Sequence, residues 1–234
     1  EGNGKKAPAY TLPTIGAEVN IMEGLKLYMD AISVEDENIL MHSVHEQLLL
    51  GEQTLQPGYT YYQPATSING IGRRTLQYGC AFDFRSNASE SAGVKPERQV
   101  APLPPFIQQL VGILVNRGVI KADQMPNSAA VNIFNAGDCM PPVLEHHDFE
   151  RPIFVVSLKS QQRIVFGQKI RTPKAGEFSG DFELMLPRRS VLVLEGHSAD
   201  VTKHAKPCAD TQRVELVLRC ARAKAGSRAS GPGG

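Results

Sequence analysis

Two stretches of the chain repeat apolar residues at helical spacing, and much of the later half alternates them as strands do. Ser33 is placed to cap a helix over about residues 34 to 50, with Ile39, Leu40, Val44 and Leu48 along one stripe and Gly51 as its stop. A second helix is expected over about 105 to 117. Its Phe106, Leu110, Ile113 and Leu114 lie on one side, with proline at the entrance and Gly118 at the end. After Ser128 the pattern changes to short β-rich runs at 129 to 135, 153 to 158, 163 to 167, 190 to 195 and 213 to 219, divided by Gly, Pro and Asp clusters. This order predicts an α+β fold, an antiparallel sandwich or jelly roll with supporting helices. Residues 1 to 14 and 223 to 234 read as tails, leaving one domain over 15 to 222.

Composition narrows the classes. In 234 residues, 41% hydrophobic and 21% charged side chains are ordinary for a protein that buries a core. A net charge of +1 gives no bulk attraction to phosphate, so nucleic acid would need a local basic patch. Arg73 and Arg74 are the obvious pair outside the tails. Cys80, Cys139, Cys208 and Cys220 form neither a CxxC pair nor a zinc-like spacing, which points to free thiols in an intracellular reducing compartment: cytoplasm, nucleus or organelle matrix. No apolar run approaches the ~18 residues of a membrane helix. Starting at Glu1 instead of methionine, the sequence reads as a fragment or a processed product. His42 and His45 are expected at the surface of the first helix and His197 in a loop.

Side chains two apart on a strand share a face. In the run 213 to 219, Arg213, Glu215, Val217 and Arg219 therefore point one way and Val214, Leu216 and Leu218 the other. If the aliphatic set packs into a layer, the arginines face a polar cleft where they could clamp a dicarboxylate. A solvated strand face would carry the same residues.

The stretch NSAAVNIFNAGDCMPPVLEHHDFERPIFVVSL, followed by RIVFG, GEFSG, SVLVLEGHSADVTKH and TQRVELVLR, resembles the AlkB family of Fe(II)/2-oxoglutarate dioxygenases. Within that family it is most like the plant and green-algal RNA demethylases acting on N6-methyladenosine. The likeness extends through GRRTLQYGCAFDF and PLPPFIQQLVGILVNRGVI and covers roughly residues 20 to 222. It implies a double-stranded β-helix with helices packed on one sheet. It also implies 2-oxoglutarate contacts at Asn132, Arg213 and Arg219, and a metal site at positions 143, 145 and 204. The span 51 to 72, holding Tyr59, Tyr61 and Tyr62, falls at the family's nucleotide-recognition lid. Tyr61 with Arg73 and Arg74 would there meet RNA, through stacking and phosphate contacts.

The chain departs from the family pattern at the site. Val143 stands where the family has its first metal histidine, Glu145 replaces an aspartate, and only His204 is retained. Phe134 stands where a tyrosine is usual, and Glu215 where a small or apolar residue is usual. Valine donates nothing to a metal, whereas Fe(II) in such sites takes two imidazoles and a carboxylate. Glu215 is expected to compete for Arg213 and repel 2-oxoglutarate. These changes point to a catalytically impaired AlkB-fold protein that binds RNA or serves as a structural, protein-interacting subunit of a larger assembly. The alternative is an active RNA demethylase using Fe(II) and 2-oxoglutarate, its site completed by His146 and Asp148 with His204. The same three residues could instead hold zinc.

Overall fold

The computed structural model describes residues 4–6, 11–14, 17–20, 22–64, 72–83 and 92–222. In chain order the elements are β1 (Gly4–Lys6), β2 (Thr11–Thr14), β3 (Ala17–Asn20), β4 (Lys26–Tyr28), α1 (Val34–Glu52), β5 (Tyr61–Tyr62), β6 (Arg74–Tyr78), β7 (Phe82–Asp83) and β8 (Gly93–Val94). They continue with α2 (Pro105–Asn116), β9 (Ser128–Phe134), β10 (Met140–Val143), β11 (Ile153–Leu158), β12 (Gln162–Gly167) and β13 (Phe182–Leu186). The last are β14 (Val191–Leu194), α3 (His197–Asp200), β15 (Lys203–Lys206) and β16 (Arg213–Arg219). One sheet has the order β1-β4-β14-β11-β16-β9-β6-β5, and a second the order β10-β15-β12-β13. The pairings within both are antiparallel.

Two apolar layers hold these parts together. Val214, Leu216 and Leu218 of β16 pack with Leu76, Val131, Ile133 and Val156 under Leu40, Val44 and Leu48 of α1 and Ile107, Leu110 and Leu114 of α2. On the other side, Val155, Leu192, Leu194 and Val217 meet Ile164, Phe166 and Leu186 of the smaller sheet. Each fully buried aliphatic side chain of this kind contributes ~1.5–3 kcal/mol through removal from water. The jelly roll with helices on one sheet is therefore the observed architecture.

The helices start as their sequence dictates. Ser33 Oγ accepts from the Asp36 amide at 3.0 Å, while Asp36 Oδ2 accepts from the Ser33 amide at 3.3 Å, a reciprocal cap. Two expectations for α1 need correction. Ile39 is 51% exposed, because the buried stripe runs through positions 40, 44 and 48 and residue 39 lies about 100° round the helix. Gly51 does not stop the helix, which runs on to Glu52. A Cβ there would lie 2.5 Å from the Tyr61 ring, so glycine lets β5 approach the helix. His42 and His45 are exposed, as expected. His197 begins the short α3 and faces Glu23 at 3.1 Å. Among the described residues no helix is long and apolar enough to cross a membrane.

Candidate functional site

The cleft forms where the inner faces of β9 and β16 look toward β10 and β15 of the smaller sheet. The strand alternation holds: Glu215 and Arg219 line the cleft, while Leu216 and Leu218 pack under the helices. Asn132 lies beside Glu215 across the β9–β16 ladder. Its Nδ2 donates to Glu215 Oε1 at 2.9 Å, and its Oδ1 accepts from Thr75 Oγ1 at 3.0 Å. Glu215 completes this polar row by an ion pair with the Lys206 ammonium, which reaches over from β15. Thr75, Asn132, Glu215 and Lys206 are all buried.

Burial presses the Glu215 carboxyl upward, but Lys206, its hydrogen bond, Arg213 and Arg73 outweigh it and hold the carboxyl below its ordinary value. Burial also lowers Lys206, against the pull of Glu215. We take the pair as ionised. The expectation that Glu215 competes for Arg213 is thus corrected, since the bonded partner is Lys206. Nothing in the spacing of β16 singles out Lys206, but its parity with His204, two residues earlier on the same strand, was a usable signal.

The two arginines are placed differently. Arg219 lines the cleft, with its guanidinium 4.0 Å from the Phe149 ring centroid and 5.5 Å from that of Phe82. Arg213 does not line the cleft. It stacks on Phe134 at 4.0 Å and donates Nη1 to the Pro207 carbonyl at 3.2 Å, while Nε and Nη2 have no hydrogen-bond partner among the described residues. Burial pushes its pKa down to about 10, so it remains a cation at neutral pH.

At the metal position, Val143 sits directly across the β10–β15 pair from His204. His204 Nε2 faces Glu145 Oε1 at 3.5 Å, and its buried Nδ1 has no hydrogen-bond partner among the described residues. Burial lowers the His204 pKa, with Glu145 opposing, so the imidazole is neutral. The structure therefore gathers two donors, one imidazole and one carboxylate, and a valine where a third would stand.

His146 and Asp148 do not join His204 in a ligand cluster. The His/Asp cluster that forms among the described residues is His146, His147 and Asp148, whose candidate donor atoms lie within 4.8 Å of one another. These residues fall in the turn after β10, so strand parity does not govern them. His146 lines the cleft, whereas the His147 side chain is 85% exposed. The rings stack at 4.2 Å, His146 Nδ1 accepts from the Asp148 amide at 3.2 Å, and Asp148 Oδ2 accepts from the Val94 amide at 2.8 Å.

The RNA-contact expectations divide by strand face. Arg73, partly buried, lines the cleft together with Glu215, and desolvation lowers its pKa. Arg74 lies on the opposite face and pairs with Glu52 of α1 at 2.7 Å. Tyr61 is also on the helix side, because it pairs in register with Leu76 of the helix-facing core, and its hydroxyl donates to Gln63 at 2.5 Å. Arg74 and Tyr61 are thus corrected out of the cleft. Tyr62, opposite Thr75, is the tyrosine within electrostatic reach of Arg73. Tyr59 is 51% exposed under the Arg98 guanidinium at 4.8 Å. The rest of the lid span, 65–71, lies outside the described residues.

RNA demethylase ALKBH9B of Arabidopsis thaliana is 33% identical over 205 residues, which cover 87% of this chain and 40% of that protein. The chain is an AlkB-family relative. RNA demethylase ALKBH10B of the same plant is 26% identical over 204 residues, covering 87% of this chain and 36% of its own length. RNA demethylase ALKBH5 of Xenopus laevis is 32% identical over 152 residues, covering 63% of this chain and 41% of its own. The chain thus spans about two fifths of these relatives. Among solved structures, OsALKBH1 superposes with a TM-score of 0.54 at 14% identity, covering 84% of this chain and 96% of that one. A Pseudomonas putida prolyl-4-hydroxylase gives 0.51 at 10% identity, covering 85% and 93%. Both share the double-stranded β-helix. No protein-family profile matches the chain.

The residues present do not fit the family's iron site. His204 and Glu145 supply two donors and Val143 none, whereas Fe(II) held by this arrangement needs three protein ligands. The fit to 2-oxoglutarate is also incomplete, since of the two arginines the resemblance assigns to it Arg219 lines the cleft and Arg213 does not.

Proposed function

We propose that this AlkB-family relative is an RNA-binding protein whose cleft has exchanged the iron and 2-oxoglutarate machinery for an internal ion pair, so that it holds RNA without oxidising it. The observation that carries this reading is Val143 facing His204 across β10–β15, with the Lys206–Glu215 pair bridging the two sheets beside it. The cationic groups Arg73 and Arg219 in the cleft support an anionic ligand, and the named relatives act on RNA. Fold and chemistry are separable, because the apolar layers that close this sandwich need neither metal nor cosubstrate.

A second reading rests on a specific observation. Glu145 and His204 still face each other at 3.5 Å, and the relatives are named RNA demethylases, so an active oxygenase acting on N6-methyladenosine would use these two residues with a further donor. A protein partner in a larger assembly is the third occupant to test.

One experiment separates these readings. Anaerobic Fe(II) and 2-oxoglutarate titrations compare the native chain with a Val143→His/Glu145→Asp/Glu215→Ser variant, each also incubated with N6-methyladenosine RNA and assayed for formaldehyde. The expected result is RNA binding by the native chain without iron retention or formaldehyde, and iron retention by the repaired variant. Formaldehyde from the native chain would establish the demethylase. Absence of RNA binding at low salt, where phosphate contacts are strongest, would turn the search to protein partners.

A further inference from the structure

Away from the cleft, beyond the start of β10 and the end of β15, residues 137–139 run against 207–209. The Gly137 amide donates to the Ala209 carbonyl at 2.8 Å and the Ala209 amide to the Asp138 carbonyl at 3.2 Å. This pairing brings together two of the four cysteines. The Cys139 thiol is hydrogen-bonded to Cys208, whose own Sγ donates to the Gly137 carbonyl at 3.0 Å. Neither is in a disulfide, Cys139 being buried and Cys208 exposed.

The neighbours confine Cys208. Its amide donates to the Gly176 carbonyl at 2.9 Å, and a Cβ on Gly176 would lie 2.1 Å from its sulfur. The loop therefore covers one side of Cys208, and the rest of the residue is exposed. Cys139 packs with Val165, Phe178 and Ala205, in a layer that seals it from solvent. Burial pushes the Cys139 thiol up to about 11, so it keeps its proton, and the Arg213 cation lies within electrostatic reach of both sulfurs.

We propose that Cys208 and Cys139 form a peroxide-oxidisable pair, in which the exposed thiol reacts first and the buried thiol resolves it. The Cys208 thiolate attacks one oxygen of hydrogen peroxide, the O–O bond breaks, and the leaving hydroxide takes a proton to give water and a sulfenic acid. The Cys139 sulfur then attacks that sulfenic sulfur, its proton leaving with the displaced hydroxyl as a second water, and the S–S bond forms. Two thiols lose two electrons and one peroxide gains them. The product staples 137–139 to 207–208, including the Pro207 carbonyl that accepts from Arg213. Cys80 and Cys220, of intermediate exposure, serve as internal controls.

The test exposes the full chain to hydrogen peroxide, then blocks residual thiols with an alkylating agent in denaturant, where Cys139 is reachable, and maps peptides by mass spectrometry without reduction. The expected species joins the Cys139 and Cys208 peptides with loss of two hydrogens, is reversed by dithiothreitol, and leaves Cys80 and Cys220 alkylated. Cys208→Ser, at an exposed position, should fold normally by circular dichroism and leave Cys139 alkylated after the same treatment. Oxidation of Cys208 to sulfinic acid without a link to Cys139 would overturn the proposal. So would a disulfide from Cys208 to Cys80, Cys220 or a second chain, or oxidation of Cys139 in the Cys208→Ser protein.

Discussion

Glu215 is charged inside the fold because Lys206 faces it, so each residue depends on the other. Removing Lys206 leaves a buried carboxylate with only amide and distant cationic partners, whereas replacing both residues by apolar ones removes the charge problem altogether. Lys206→Met is expected to cost ~3–5 kcal/mol in urea denaturation, and the Lys206→Met/Glu215→Leu double variant to recover most of that loss. The pH dependence has a definite sign. The folded carboxyl lies below its unfolded value of about 4.3, so its contribution is complete above that pH and is lost as pH falls through the folded value. The urea midpoint of the double variant should therefore fall less between pH 6 and pH 3 than that of the native chain. Asn132, which also bonds Glu215, lies 83 positions away in the chain, and no periodicity reveals such a bond. Val143 is the opposite case, since a side chain without a donor is legible as soon as its register is known.

Helix α1 is fastened by one buried carboxylate. Glu37, with its side chain fully buried, accepts from the Lys159 amide at 2.7 Å and from Arg188 Nε at 2.6 Å, tying the helix to the turns that precede β12 and β14. Lys159 has φ +70 and Arg189 φ +65, so Glu37 holds two turns whose backbones are in the left-handed region. Glu37→Ala should lower the unfolding free energy by ~1–3 kcal/mol, because a buried amide is left unsatisfied. Gly51→Leu should lower it by a similar ~1–3 kcal/mol, because the new side chain meets the Tyr61 ring. Both are read from thermal or urea melts. The cap at Ser33 and the stripe through Leu40, Val44 and Leu48 were legible, since local hydrogen bonds and a 3.6-residue period are written in consecutive residues. Gly51 was misread as a stop because glycine serves two purposes, and only the position of β5 shows which applies. The short strands β5, β6, β10 and β15 were not legible because burial alternates little along them, whereas β13 does alternate and carried a usable signal.

Across the whole molecule, the eight-stranded sheet separates a helix-packed face from a cleft face, and adjacent residues can serve opposite sides. Arg73 and Arg74 illustrate this. If the cleft holds RNA, Arg73→Gln should weaken binding by ~1–3 kcal/mol, while Arg74→Gln should leave it nearly unchanged. Fluorescence anisotropy at two salt concentrations, with folding checked by circular dichroism, measures both. Equal effects of the two substitutions would place RNA on another surface. The sequence by itself determined the two helices and the main strands, because each is fixed by local period or capping chemistry, while its resemblance to the AlkB family implied the double-stranded β-helix and a metal position at Val143. Only the tertiary structure decided that Lys206 takes Glu215, that Arg213 stacks on Phe134 outside the cleft lining, that His146 groups with His147 and not His204, and that Tyr61 and Arg74 turn to the helices. Those outcomes depend on which strands become neighbours and which faces they present, and residues remote in the chain share no pattern until the sheets close.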